Sequence, residues 1–282
     1  MLFRRRENRS KQNVPEITVR IPQNNDAYAI HGIEYACAIH IGTRANQQDF
    51  VEVGTSKTGV VFGVLCDGMG GLDDGDLASR TAAQAMALTI AEMDPECDIH
   101  EFLVSQAHLI NEMIYDLPSD ESQKGAVGTT LSAIVITGGE LYWLSIGDSR
   151  IYIIRHGEIL SVTRDHSYKL ILEEQVKNGN ITAEDAANDS QRDALISYLG
   201  VDELVLIDSN LNPFALEPGD TILLCSDGLY RSLGESDIME VLERHKDDIV
   251  ESARVLPLYA FDKADGGQDN TSVILFRYQH GN

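Results

Sequence analysis

The chain has 282 residues, with 45 acidic side chains against 22 basic ones and a formal net charge of −23 at pH 7. So negative a body is repelled by nucleic-acid backbones and by anionic lipid, which excludes both as expected partners. No stretch reaches the length of a transmembrane helix, the N-terminus lacks the apolar core of a signal peptide, and Cys37, Cys66, Cys97 and Cys225 have no framework spacing, so a cytoplasmic protein with reduced thiols is expected.

Residues 1–26 are basic and polar, with Arg4, Arg5, Arg6, Arg9, Lys11 and Arg20 beside Pro15 and Pro22. They hold too little apolar surface to fold alone, and a solvated tail is expected. Two other readings stay open: a docking arm for an acidic surface, or a short extra strand through Val19 and Ile21. No linker, repeat or low-complexity tract divides the rest, so residues 27–282 are expected to form one domain.

From residue 33 the elements follow in order. Strands are expected at Tyr35 to Ile41 and Val60 to Cys66, the second apolar enough to be buried on both faces. A helix over about 76–93 follows, with Leu77, Thr81, Ala85, Leu88 and Ala91 as its core stripe. A second helix from Ile99 to Leu117 carries Phe102, Leu103, Leu109, Ile110, Met113 and Ile114 and stops at Pro118. Segments 130–137, 141–146, 150–155 and 158–162 read as an antiparallel meander with Gly-rich turns. Residues 167–200 break that pattern: 168–178 is helical, Gly179 caps it, and Thr182 opens another short helix. A strand over 221–225, helices over about 236–245 and 247–262, and a strand over 272–278 complete the chain.

Aspartates punctuate these strands. Asp67 ends the run from Val60 and is followed by Gly68, Gly70 and Gly71; Asp227 ends the run from Thr221 in Ser226-Asp227-Gly228. Asp148 ends a third run in Gly147-Asp148-Ser149, Asp269 precedes the last strand in Gly267-Gln268-Asp269-Asn270, and Asp49 closes the segment after Ile41. Five hairpin turns would account for five aspartates, but not for flanks so apolar that each carboxylate must be desolvated. Convergence on cations accounts for both. No paired cysteine or helical His pair suggests zinc, whereas oxygen ligands suit Mg²⁺ or Mn²⁺, and this many carboxylates suit two ions. Arg44, five residues before Asp49, is a candidate fork for a phosphate group, with a surface ion pair as the plainer alternative.

The ordered set Gly42-x-Arg44-x-x-Gln47-Gln48-Asp49, Asp67-Gly-Met-Gly-Gly71, Gly128-Thr-Thr130, Gly147-Asp-Ser-Arg150, Thr163-Arg-Asp-His-Ser167, Ser226-Asp-Gly228 and Gly267-Gln-Asp-Asn270 resembles the metal-dependent serine/threonine protein phosphatases of type 2C, in their short bacterial form. The resemblance spans about residues 30–278. It implies an α+β fold, a four-layer α-β-β-α sandwich with two central antiparallel sheets, and a flap over about 167–200 beside the active site. It further implies that Asp67 bridges two ions, that the Gly68 carbonyl ligates one, that Asp227 and Asp269 complete the other site and that Asp49 holds metal-bound water. Asp148 matches the position of an additional, weaker ion, and Gln48, Ser226 and Asn270 match supporting positions. The implied reaction is attack of a metal-bridging hydroxide on phosphoserine or phosphothreonine in a protein, by a monomer opposing a cognate kinase.

Three departures bear on the chemistry. Met69 stands where animal members have a histidine that protonates the leaving group. Gln47-Gln48 replaces Asn-Glu, which removes a carboxylate near the second ion. His40 and His166 are candidate proton donors, each more simply read as a structural hydrogen-bonder. A phosphoprotein-binding pseudophosphatase and a Ca²⁺-stabilised binding module are the alternatives in function.

Overall fold

A strand that is apolar at every position must be covered on both faces, and the central strands here are of that kind. The computed structural model describes residues 17–20, 32–69, 74–118 and 124–279. One antiparallel sheet runs, in spatial order, β1 (Thr18–Arg20), β2 (Ile33–His40), β13 (Thr271–Tyr278), β12 (Thr221–Cys225), β8 (Arg150–Arg155) and β9 (Glu158–Ser161). The second runs β10 (Asp208–Ser209), β7 (Glu140–Ile146), β6 (Leu131–Thr137), β4 (Val61–Met69) and β3 (Asp49–Thr55), with β11 (Phe214–Ala215) on β7 and β5 (Gly128–Thr129) on β4.

Three apolar layers hold these sheets. Ile33, Leu65, Ile134, Ile274 and Phe276 pack between the sheets. Val64, Met86, Ile90, Leu103 and Ile110 pack the second sheet against α1 (Asp74–Glu92) and α2 (Ile99–Tyr115). Tyr152, Leu223, Leu256, Val273 and Leu275 pack the first against α6 (Glu235–Arg244) and α7 (Ile249–Lys263). Alternation along β13 shows the logic: Val273 and Leu275 face the helices, while Ile274 and Phe276 face the other sheet. The result is an α-β-β-α sandwich. Among the described residues no helix is long and apolar enough to cross a membrane, and all four cysteines are free.

Several expectations need correction. The expected strand ending at Cys66 continues through Asp67 to Met69, where it pairs with β5, so Asp67 lies within a strand and not at a turn. The strand β3 was not foreseen, although Asp49 is its first residue. The meander is interrupted: β6 and β7 form a hairpin in one sheet and β8 and β9 in the other, so Gly147-Asp148-Ser149 crosses between sheets. Within the expected N-terminal tail, Thr18–Arg20 pairs with Cys37 to Ile39 of β2; residues 1–16 and 21–26 lie outside the described residues, as do Gly70 and Gly71. In the segment 167–200, α3 (Lys169–Lys177) and α4 (Ala183–Asn188) form as expected, the latter with the Thr182–Asp185 capping box.

The core face of α1 is also not the expected one. Ala78, Ser79, Ala82, Ala83, Met86, Ala87 and Ile90 are buried, whereas Leu77 is 49% and Leu88 66% exposed. The cause is close approach. A Cβ on Gly68 of β4 would lie 2.0 Å from the Gly75 carbonyl oxygen, so the helix settles onto the strand with its smallest side chains and turns the leucines outward. Met86→Ala is therefore expected to cost about 2–5 kcal/mol of stability and Leu88→Ala no more than about 0.5 kcal/mol, measured by urea unfolding. The leucine stripe predicts the reverse order.

Candidate active site

At one edge of the sandwich, β2 and β13 meet at His40 and Thr271, β12 ends, β8 begins, and the chain passes twice from one sheet to the other. Backbone turns here carry short polar side chains that bond their neighbours. Asn270 is the clasp of the 41–48 loop: its Oδ1 accepts from Gln48 N–H at 2.7 Å, and its Nδ2 donates to the carbonyls of Ile41 and Asn46 at 2.9 and 3.1 Å. The Gln48 carbonyl in turn accepts from Gly68 N–H at 3.0 Å. Gly147, with φ of 102°, takes a backbone form that side chains disfavour, and a Cβ there would press on Thr130 at 2.6 Å.

These devices open a cavity of about 390 Å³. Arg44, Gln48, Asp67, Gly68, Asp148, Asp227, Asp269 and Asn270, all singled out from sequence, line it together with Met69. Asp49 and Ser226 lie behind the wall: Asp49 is paired in register with Asp67 and accepts a 2.7 Å hydrogen bond from Ser226 Oγ. The Ser226 hydroxyl oxygen accepts from Ser272 N–H at 3.0 Å, which ties β12's end to β13.

Carboxylates this close and this dry resist ionisation. Burial, partly offset by the hydrogen bond from Ser226, lifts Asp49 to about 6, with Asp269 adding repulsion. Burial and the charges of Asp49, Asp227, Asp148 and Asp269 hold Asp67 well above the usual carboxylate range. Burial lifts Asp227 to about 7 despite the Arg231 guanidinium, and it raises Asp148 as well.

Arginines supply part of the missing positive charge. Arg44 pairs with Asp269 at 2.5 Å, and Arg231 lies 3.0 Å from Asp227 and 3.5 Å from Asp148. Asp67, Asp148, Asp227 and Asp269 thus share one cavity wall with Asp49 behind it, but among the described residues no three carboxylate, imidazole or thiol groups close into a ready-made ion cage. The donor set nevertheless fits hard cations. It is all oxygen, and Asp49 Oδ1 is buried without a hydrogen-bond partner.

Sequence reasoning missed three members of the site. Thr130, taken as a strand residue, accepts from Asp67 N–H at 2.9 Å through Oγ1 and meets Ser149 Oγ at 2.8 Å, linking the Asp67 strand to the Asp148 turn. Arg231 and Tyr230, which donates to Asp148 at 3.3 Å, follow Asp227 on the short helix α5 (Asp227–Tyr230) and its cap; the spacing of four from Asp227 to Arg231 was the available signal. His40 and His166 do not line the cavity. Both are fully buried, and their Nδ1 atoms accept from Gly42 and Gly147 N–H at 3.0 and 3.2 Å.

Comparison with known proteins places this geometry. The family model described as protein phosphatase 2C matches residues 38–256. The chain is 32% identical over 234 residues to the protein phosphatase PhpP of Streptococcus pneumoniae, covering 82% of this chain and 92% of that one. The serine/threonine phosphatase of S. agalactiae superposes with a TM-score of 0.77 at 33% identity, over 88% of this chain and 100% of that one. The catalytic domain of the serine threonine protein phosphatase PstP, in complex with two manganese ions, superposes with a TM-score of 0.70 at 31% identity, over 87% and 97% of the two chains. This chain accordingly belongs to the protein phosphatase 2C family of serine/threonine phosphatases.

Proposed function

We propose that the protein hydrolyses phosphoserine and phosphothreonine monoesters in phosphoproteins with two divalent ions, Mn²⁺ or Mg²⁺, and so opposes a serine/threonine kinase in the cytoplasm. In this reading Asp67, the Gly68 carbonyl, Asp227 and Asp269 hold the two ions, Asp49 stands behind them, and Asp148 takes a weaker third. The observation that carries it is the arrival of Asp67, Asp148, Asp227 and Asp269 from four chain segments at one cavity wall with Asp49 directly behind, where burial and mutual repulsion keep Asp49, Asp67, Asp148 and Asp227 from ionising easily. The manganese in the PstP structure supports the choice of metal. Residues 27–282, with β1 added at the sheet edge, form the catalytic unit, and 167–200 its flap.

When bound, the ions supply activation of the attacking water and neutralise charge on the transferring phosphoryl group. Arg44 binds the phosphate. Its pair with Asp269 is 60% exposed on the arginine side and therefore weak, so the guanidinium can exchange the carboxylate for a pair of phosphoryl oxygens. Ser226 and Asn270 hold Asp49 and the 41–48 loop in place throughout. Met69 has no proton to give and no described histidine lines the cavity, so the leaving alkoxide takes its proton from water.

Chelation is expected to abolish turnover of an aryl phosphate and added Mn²⁺ to restore it, while Asp67→Asn, Asp227→Asn and Asp269→Asn each lower the rate by orders of magnitude with the fold intact by circular dichroism. Full activity after exhaustive chelation would overturn the reading.

A second expectation concerns pH. With Asp49 lifted to about 6 and Asp227 to about 7, the folded metal-free chain holds protons that the unfolded chain releases. That contribution to stability is complete below the unfolded pKa of about 3.9 and is lost as the pH rises through the folded values. The chelated protein should melt higher at about pH 6 than at about pH 8, and saturating Mn²⁺ should raise Tm more at the higher pH, where it displaces no protons. An equal Tm increment at both pH values would remove the carboxylates from the binding step.

Arg44→Ala should lower kcat/KM for a phosphopeptide by about ten- to a hundredfold, mainly through KM, and Arg44→Lys should recover part of it. Because Arg44 competes for Asp269, the Mn²⁺ concentration for half activation should not rise in Arg44→Ala. Recovery of Arg44→Ala by excess Mn²⁺ alone would show that the residue serves the ions instead.

A further inference from the structure

Beside the active-site cavity lies a second one of about 210 Å³, which shares Asp148, Asp193 and Arg231 with it. Its outer wall belongs to the 167–200 segment. Lys169 opens α3, Arg192 follows α4, and the Arg192 carbonyl accepts from Lys169 N–H at 2.8 Å, so one backbone bond sets the two cations side by side.

Charge in this cavity runs against that of the chain. The wall has four cations, Arg150, Lys169, Arg192 and Arg231, against three carboxylates, Asp148, Asp165 and Asp193, in a protein whose net charge is −23. Arg150 is committed to Asp165 through two hydrogen bonds of 2.8 and 2.7 Å and lies over the Tyr230 ring, and Arg231 is committed to Asp227 and Asp148. Among the described residues Lys169 pairs with Glu173 alone, 3.7 Å away at the surface. Arg192 has no carboxylate partner among the described residues, whereas every other arginine whose side chain is described has one. Ser167, buried in the same wall, makes no side-chain hydrogen bond among the described residues. A free planar fork, an ammonium and an unengaged hydroxyl together make a receptor for a carboxylate or a phosphoryl group.

We propose that this cavity is a specificity subsite for a second anionic group on the substrate polypeptide, gripped by Arg192 and Lys169, a few residues from the phosphoserine or phosphothreonine in the first cavity. The proposal rests on the phosphoprotein reading above, and the shared wall of Asp148, Asp193 and Arg231 is what lets one peptide segment occupy both cavities. The anion is a glutamate or aspartate carboxylate or a second phosphate; both fit the same fork.

The test compares phosphothreonine peptides that differ only in carrying alanine, glutamate or phosphoserine at flanking positions, with p-nitrophenyl phosphate, too small to span both cavities, as the reference. Wild-type protein should favour the glutamate or the phosphoserine peptide over the alanine peptide by about tenfold in kcat/KM. Arg192→Ala should erase the preference and Arg192→Lys keep part of it, with turnover of p-nitrophenyl phosphate little changed in both, which also reports that they fold. Preference for the glutamate peptide alone assigns a carboxylate, and for the diphosphorylated peptide alone a phosphate. The proposal is overturned if wild type shows no preference or if Arg192→Ala retains it. Absence of p-nitrophenyl phosphate turnover with Mn²⁺ would instead fault the phosphatase reading, and peptide affinities measured by fluorescence anisotropy would then decide the subsite by the same ratios.

Discussion

Asp49 and Asp67 face each other in register across neighbouring antiparallel strands, and the first of them is 2% exposed. Like charges directly opposed on a sheet destabilise it, and here the pair also sits out of bulk water. Each of the two can be relieved by a proton, which lets one carboxyl group hydrogen-bond the other, or by a cation. Much of the surrounding structure makes that confinement tolerable. Ser226 donates to Asp49, Thr130 accepts from the Asp67 amide, and Arg44 and Arg231 neutralise the outer carboxylates. A site held in this tension is chemically suited to hard cations because folding has already brought the repelling groups together.

The strand that carries Asp67 also explains why the helix above it is made of small residues. Gly68 and Gly75 let backbone meet backbone, so α1 approaches β4 more closely than a leucine-faced helix could. Rigidity at the wall follows from that approach. The Asp67 main chain has no room to shift, being bonded on one side to Thr130 and on the other, through Gly68, to Gln48. A carboxylate on a fixed backbone is a better ligand than one on a loop, because no ordering is needed when an ion arrives.

What the sequence revealed and what it concealed divide along physical lines. Apolar runs around Val64, Leu224 and Ile274 announced doubly covered strands, and abrupt aspartates at their ends announced the site, because burial next to charge leaves a local signature. The core face of α1 was hidden, since alanine and serine carry little periodic signal and the larger Leu77 and Leu88 pointed the wrong way. The switch of sheet at Asp148 was hidden too: a hairpin and a crossover with the same Gly-Asp-Ser look alike until the partners are known. Thr130 and Arg231 belong to the site through partners 63 residues away and through a one-turn helix, neither of which composition can announce.

The order of strands carries one more consequence. β13, the last strand of the described chain, lies between β2 and β12 in the middle of its sheet, and Asn270 just before it is what fastens the 41–48 loop. During synthesis the early strands must therefore wait, with one sheet split and the loop around Arg44 unfastened, until some two hundred later residues have been made. A nascent chain that has not yet released β13 lacks a finished catalytic centre however much of its body has collapsed. Any cut that removes β13 should leave two half-sheets with exposed edges, a species for chaperones and proteases and not a weakened enzyme.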